Sequence, residues 1–293
     1  MLEVIAGMTG FDGLAIGVKA VGYAALLVAA GSVLCPLTIE GVPLKERRLL
    51  GRLMAVLVGM ALVLIVARLM LEAVFLAGDQ WSAALDWPLL ALVGGSALGQ
   101  TLGLQALGGV LLLGALRQGM TGVVASLAGI ALIAVAFPVS GHVGNTETIV
   151  DNALLVIHML ALMFWVGVFV PLYRLSAQPG DAAAIVADDF GRKAIPVVAA
   201  LIIAGVLALQ RLTGGLPAAL QTPYGQLFAA KLAVVAGVLA LAALNRRIHT
   251  PALQAGRPGA GRGMRRSLAL EGVAIGLVIL ISATFTTLTG PVG

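Results

Sequence analysis

The chain has 293 residues, of which 60% are hydrophobic and only 11% charged, with a mean hydropathy of +1.06 and a formal net charge of +5. Soluble domains carry about 25% charged residues, so this composition excludes a water-soluble globular protein and requires lipid as the solvent. A single cysteine, Cys35, excludes an internal disulfide and any paired-cysteine metal or redox motif.

Apolar runs of roughly 20 residues recur along the chain, the length at which a helix crosses about 30 Å of hydrocarbon. The short alternating segments of a membrane β-barrel are missing from the sequence. The expected fold is all-α: a polytopic membrane helix bundle with about eight transmembrane helices, forming a single domain over residues 1–293. The opening stretch MLEVIAGMTGFDG lacks a basic region and a cleavage site, and reads as a short tail ahead of a retained helix.

Spans are predicted at 15–38, 50–77, 97–116, 120–139, 149–173, 192–212, 225–247 and 267–289. Before the third, the segment WSAALDWP reads as an interfacial helix, with Trp81 and Trp87 at headgroup level. Gly95, Gly99 and Gly103 recur every four residues and predict a smooth face for close helix contact in lipid. Pro171 and Pro196 predict kinks. The segment TPALQAGRPGAGRGMRRS reads as a flexible loop; it has no phosphate-loop motif, and no nucleotide-binding element occurs anywhere. Transport would therefore run on a gradient or on exchange with carriers.

Charge placement orients the bundle. With the N-terminus outside, Lys19, Arg68, Arg211 and Lys231 fall in the outer parts of helices, leaving 14 of the 18 basic residues in inner loops. Cytoplasmic loops collect Lys and Arg, so both termini are expected on the periplasmic side. The same bias accounts for the basic balance without nucleic acid as a partner.

The unusual polar residues gather in the outer half. Helix four ends in FPVSGHVGNTETIVDN, which places His142 at the outer mouth, with Glu147 and Asp151 after it. Asp151, His158 and Trp165 are spaced by seven and share one helix face. His158 lies about 10 Å deeper than Asp151 at 1.5 Å per residue. Ionisable residues at membrane depth are costly, which makes function the default hypothesis. Neutral imidazole ligates copper and zinc, thioether favours Cu(I), and a carboxylate beside a histidine serves as ligand or fixes its tautomer. His142, Glu147, Asp151, His158 and Met159 are thus candidate metal ligands. The bland alternatives stay open: His158 as an interhelical hydrogen-bond donor, Met159 and Met163 as gap fillers, Cys35 as an inert thiol and His249 as a solvated loop residue. Among the remaining charges, Arg68 and Glu72 are four apart and are expected to pair. Lys231 is expected to find Asp151 or Glu147, and Glu271 a loop arginine.

The stretch SGHVGNTETIVDNALLVIHMLALMFWVGVFVPLYRL resembles the CopD family of bacterial copper-resistance inner-membrane proteins. The resemblance rests on Gly141-His142-Val143 and on His158, Trp165 and Gly167. It continues through Tyr224, Gly225, Lys231, Asn245, Arg246 and Pro251 to a last helix with Glu271 and a closing Pro291. The likeness is strong from about residue 138 onward and weaker before it. Departures are Val168, where the family has a second glycine, Asp189-Phe190-Gly191 in place of Phe-Ser, and Gln100 and Gln105 in the third span. The family implies a multi-pass protein of the bacterial inner membrane associated with copper import or homeostasis. It also implies a periplasmic copper-binding partner of the CopC type. Carried over by position, His142 and His158 would be copper-related, and Trp165, Lys231 and Glu271 characteristic positions. The reading is of a non-enzymatic copper conduit. Its rivals are a membrane redox protein binding haem b or a quinone between His142 and His158, and a non-transporting membrane partner of a periplasmic copper chaperone.

Overall fold

The computed structural model describes residues 8–117, 119–139, 149–213 and 223–288, and every regular element among them is helical. Helix α1 (Gly10–Thr38) opens on a capping box in which Thr9 and Asp12 satisfy each other's backbone N–H groups. A tight inner turn leads to α2 (Leu44–Leu76). A 3-10 turn (Trp81–Leu85) and the short α3 (Trp87–Gly95) follow, with Trp81 and Trp87 exposed as an interfacial segment requires. Then come α4 (Ala97–Leu112), α5 (Met120–Val139), α6 (Ile149–Gly167), α7 (Phe169–Leu175) and α8 (Ala182–Thr213). The chain ends in α9 (Pro223–Leu244), a π turn (Asn245–His249), α10 (Thr250–Gln254) and α11 (Ala260–Leu288).

Seven helices among the described residues are long and apolar enough to cross a membrane, and the remaining expected span, 192–212, lies inside α8. Two irregularities have covalent causes. The α6–α7 break at Val168 falls one turn ahead of Pro171, which has no N–H for the Gly167 carbonyl. The π turn sits just before Pro251, which likewise has no N–H to offer the preceding turn.

Helix α1 is the central post, packed against α2, α6 and α11. Its Leu26, Leu27, Ala29 and Ala30 meet Met54, Val58, Ile133 and Met163 in a dry core. On the perimeter, apolar side chains such as Val63 and Val273 are 68% and 73% exposed, which is a lipid-facing surface.

The glycine pattern works differently from the sequence expectation. A Cβ added at Gly95 or Gly103 would meet nothing within 4 Å, because the helix breaks at Ser96 and both residues face outward. Gly99 meets only the end of the short α3, where a Cβ would run into the Gly94 carbonyl oxygen, and close approaches between spanning helices occur at other glycines. A Cβ on Gly167 would lie 2.2 Å from the Gly31 carbonyl oxygen, and one on Gly129 would lie 2.6 Å from that of Gly108. These positions seat α6 on α1 and α5 on α4. The expected flexible loop is also largely helical, being built from α10 and the first turns of α11.

Ion pairs close one end of the bundle. Arg174 Nε donates to Glu46 at 2.9 Å, and Glu46 is fully buried. Asp189, also buried, accepts from Lys193 Nζ at 2.7 Å and from the Glu40 N–H at 2.9 Å. Lys193 also donates to the Thr38 carbonyl at 2.8 Å, placing a cation on the last turn of α1. Burial alone would raise the Asp189 carboxyl, but hydrogen bonds from Lys193, the Glu40 N–H and Arg192 outweigh it and hold the group below the usual carboxylate range.

Candidate functional site

Helix α6 carries Asp151 in its first turn, then His158 and Trp165 at successive steps of seven. Trp165 is buried, and its indole Nε1 donates to Glu271 Oε1 of α11 at 2.6 Å. Asn245, the first residue of the π turn, donates from Nδ2 to Glu271 Oε2 at 2.9 Å. Glu271 itself is only 2% exposed. Three segments of the bundle therefore converge on one carboxylate. Phe190 of α8 packs edge-on to Trp165 with ring centroids 6.2 Å apart, and Phe164 stacks on Phe190 at 5.4 Å, fixing the indole from behind. This corrects the expected pairing of Glu271 with a loop arginine. The carboxylate lies inside the bundle, between two neutral donors, whereas Arg265 of the same helix donates to Tyr173 OH at 3.1 Å and lies over its ring.

Toward the other end, His158 is half-buried, and the Lys231 ammonium of α9 lies within its electrostatic range. Lys231 precedes Asn245 by 14 residues, or about 21 Å of helix. His158 precedes Trp165 by seven, or about 10 Å. The polar groups are thus staggered along the bundle: Trp165, Glu271 and Asn245 meet at one level, with His158 about 10 Å and Lys231 about 21 Å of helix away from it. Asn245 escaped the sequence reading as a site residue. Its spacing of two heptads from Lys231 is the signal that continues the Lys231 face of α9 into the π turn.

The other expected ligands are distributed unevenly. His142 and Glu147 lie outside the described residues. Met159 packs against the hydrophobic core, and Met163 is fully buried there. Among the described residues, no group of three or more His, Cys, Asp or Glu is arranged to hold a metal ion. Cys35 is buried in an apolar cluster with Leu50, Leu172 and Leu268. His249 is half-buried and packs on the open face of Gly263, where a Cβ would lie 2.8 Å from its Cε1. Arg68 does not bridge to Glu72. Its Nη1 donates to Tyr23 OH at 3.4 Å and its guanidinium lies over the Tyr23 ring, 5.4 Å from the centroid. The aromatic face and hydroxyl of α1 offer a better-shielded partner than a neighbour on the same helix.

Residues 184–285 match the family described as Copper resistance protein D, and residues 8–152 match the Copper resistance protein D-like N-terminal domain. The comparison with curated proteins returned no match, nor did the comparison with solved structures. Lys231, Asn245 and Glu271 fall inside the first match and Asp151 inside the second, while His158 and Trp165 lie in the interval between them. Apolar spanning helices and these two consecutive matches lead to one assignment: the chain belongs to the CopD family and is a multi-pass membrane protein of copper resistance and homeostasis.

Proposed function

We propose that this chain conducts copper ions across the bacterial inner membrane, from periplasm to cytoplasm, as a single membrane domain with both termini periplasmic. The supporting observation is the buried carboxylate of Glu271, held by the Trp165 and Asn245 N–H groups. A carboxylate at membrane depth is expensive and marks ion pathways. Two neutral donors orient it without cancelling its charge, which leaves it suited to a passing cation.

The copper ion is the cargo, as Cu(I) or Cu(II). His142 captures it at the outer mouth, with Glu147 and Asp151 supplying negative charge or orienting the imidazoles. His158 receives it within the bundle, where neutral imidazole is a good copper ligand. Met159 is within one residue of that step and Trp165 holds the next. Lys231 would oppose a cation at His158, and the two carboxylates at the mouth offset it. Glu271 then draws the ion toward the inner side. A periplasmic CopC-like protein is the proposed donor, and no nucleotide takes part.

The test is copper uptake into proteoliposomes loaded with a Cu(I) indicator. The wild type should accumulate copper, the His142→Ala/His158→Ala double variant should not, and Glu271→Gln should fall by about tenfold or more, the effect of losing roughly 1.4 kcal/mol of stabilisation for the ion in transit. A well-folded, correctly oriented wild type that admits no copper would overturn the conduit and favour a haem, quinone or docking role.

A further inference from the structure

A second buried polar cluster lies apart from the His158–Glu271 levels, in the N-terminal half. Helices α1, α2 and α4 border a small, partly open pocket of about 10 Å³ lined by Lys19, Tyr23, Arg68 and Gln105 together with apolar side chains. That volume accommodates one water-sized particle. Gln105 is 2% exposed, and its Nε2 has no hydrogen-bond partner among the described residues. A buried N–H₂ left unpaired is costly unless something occupies the space beside it.

The polar lining is rich in donors. Lys19 is 8% exposed and donates to the Thr286 carbonyl at 3.0 Å and to Thr287 Oγ1 at 3.3 Å, which leaves one of its three N–H groups unused. The Tyr23 hydroxyl accepts from Arg68, so its own proton is free to be donated elsewhere. Arg68 uses one long contact out of five donors. Among the described residues, Lys19 of α1 and Arg68 and Glu72 of α2 are near enough to act on one another, so basic side chains outnumber carboxylates there. A water molecule satisfies such a lining poorly, because it accepts only about two hydrogen bonds and carries no charge. A spherical anion accepts from all sides and cancels the excess positive charge.

We infer that the cavity between α1, α2 and α4 binds one small monovalent inorganic anion of the chloride class, held by Lys19, Tyr23, Arg68 and Gln105. The bound anion removes the excess positive charge buried in this half of the bundle, a charge that would otherwise oppose a cation crossing nearby.

The experiment is thermal unfolding of the full-length protein in detergent, followed by tryptophan fluorescence, in sodium chloride or bromide against sodium gluconate at equal ionic strength. The wild type should melt several degrees higher in either halide, with a saturable dependence on concentration. Gln105→Leu should lose that halide increment. Gln105→Glu places a permanent negative charge beside the cavity, so it should melt in gluconate as the wild type does in chloride and gain nothing from halide. Identical wild-type melting in halide and gluconate would show that the cavity holds water only and would overturn the assignment. An equal halide increment in all three proteins would overturn it as well, by placing the anion elsewhere.

Discussion

Asp189 shows how much one carboxylate can do at the bundle end. It ties the α1–α2 turn to α8 through the Glu40 N–H and Lys193, while Lys193 also holds the last turn of α1. The folded-state value of its carboxyl lies below the ordinary 3.8. A depressed carboxylate contributes stability that is present above the unfolded value and lost as pH falls through the folded one. Wild-type melting in detergent should therefore drop as the pH is taken below about 4. At pH 7, Asp189→Asn should be less stable by about 2 kcal/mol, the value of hydrogen bonds to a charged group, and should lose less on acidification than the wild type. An acid limb of the same size in both proteins would assign the pH dependence to other carboxylates. In the sequence Asp189 stood out only as part of a departure from the family pattern, Asp189-Phe190-Gly191. Its partner at Glu40 is 149 positions away, and no local pattern announces it.

At the level of elements, the spans were legible because lipid imposes a single rule: backbone groups must be paired within the segment, so long apolar runs are helices. Pro171 marked the α6–α7 break correctly for the same local reason. Which helices touch was less legible. Gly95, Gly99 and Gly103 carry the spacing of a packing face, yet of the three only Gly99 meets backbone, that of Gly94 in the preceding short helix, and spanning helices approach at Gly31–Gly167 and Gly108–Gly129. Spacing shows that a face is smooth; it does not show that a neighbour lies against it. These two kinds of glycine predict opposite mutational outcomes. Gly167→Ala must push α6 off α1 and should cost about 1–3 kcal/mol or more of unfolding free energy. Gly103→Ala meets open space and should be neutral or stabilise by up to about 1 kcal/mol through better helix propensity. Unfolding of the two variants in mixed micelles decides between them, and equal effects would contradict the close approach.

For the whole molecule, the proposed path and its polarity stand or fall with topology. With Cys35→Ser as background, Asp79→Cys lies beyond the end of α2 and Gly256→Cys lies in the turn after α10. A membrane-impermeant maleimide added to intact spheroplasts should label the first and spare the second. The reverse pattern would invert the bundle and place His142 on the cytoplasmic side. The candidate site was half legible at this scale. His158 and Trp165 declared themselves as a stripe on one helix and Lys231 as a charge at membrane depth, whereas Glu271 was expected to meet a loop arginine. Their grouping was not readable, since Glu271 meets Trp165 across 106 positions and Asn245 across 26, and only the helix arrangement decides that a carboxylate finds an indole before an arginine.

The interruption at Val168 also makes α6 a lever. The backbone contact between Gly167 and Gly31 sits beside the interruption and serves as its fulcrum. His158 is nine residues from that point, an arm of about 13 Å, whereas Trp165 is two residues from it, about 3 Å. A tilt of about 5° would swing the imidazole by about 1.2 Å and the tryptophan backbone by less than about 0.3 Å, on the same rise per residue. His158 can thus shift while the Trp165–Glu271 bond keeps its length, so on the proposed path capture and onward passage would not compete for one rigid geometry.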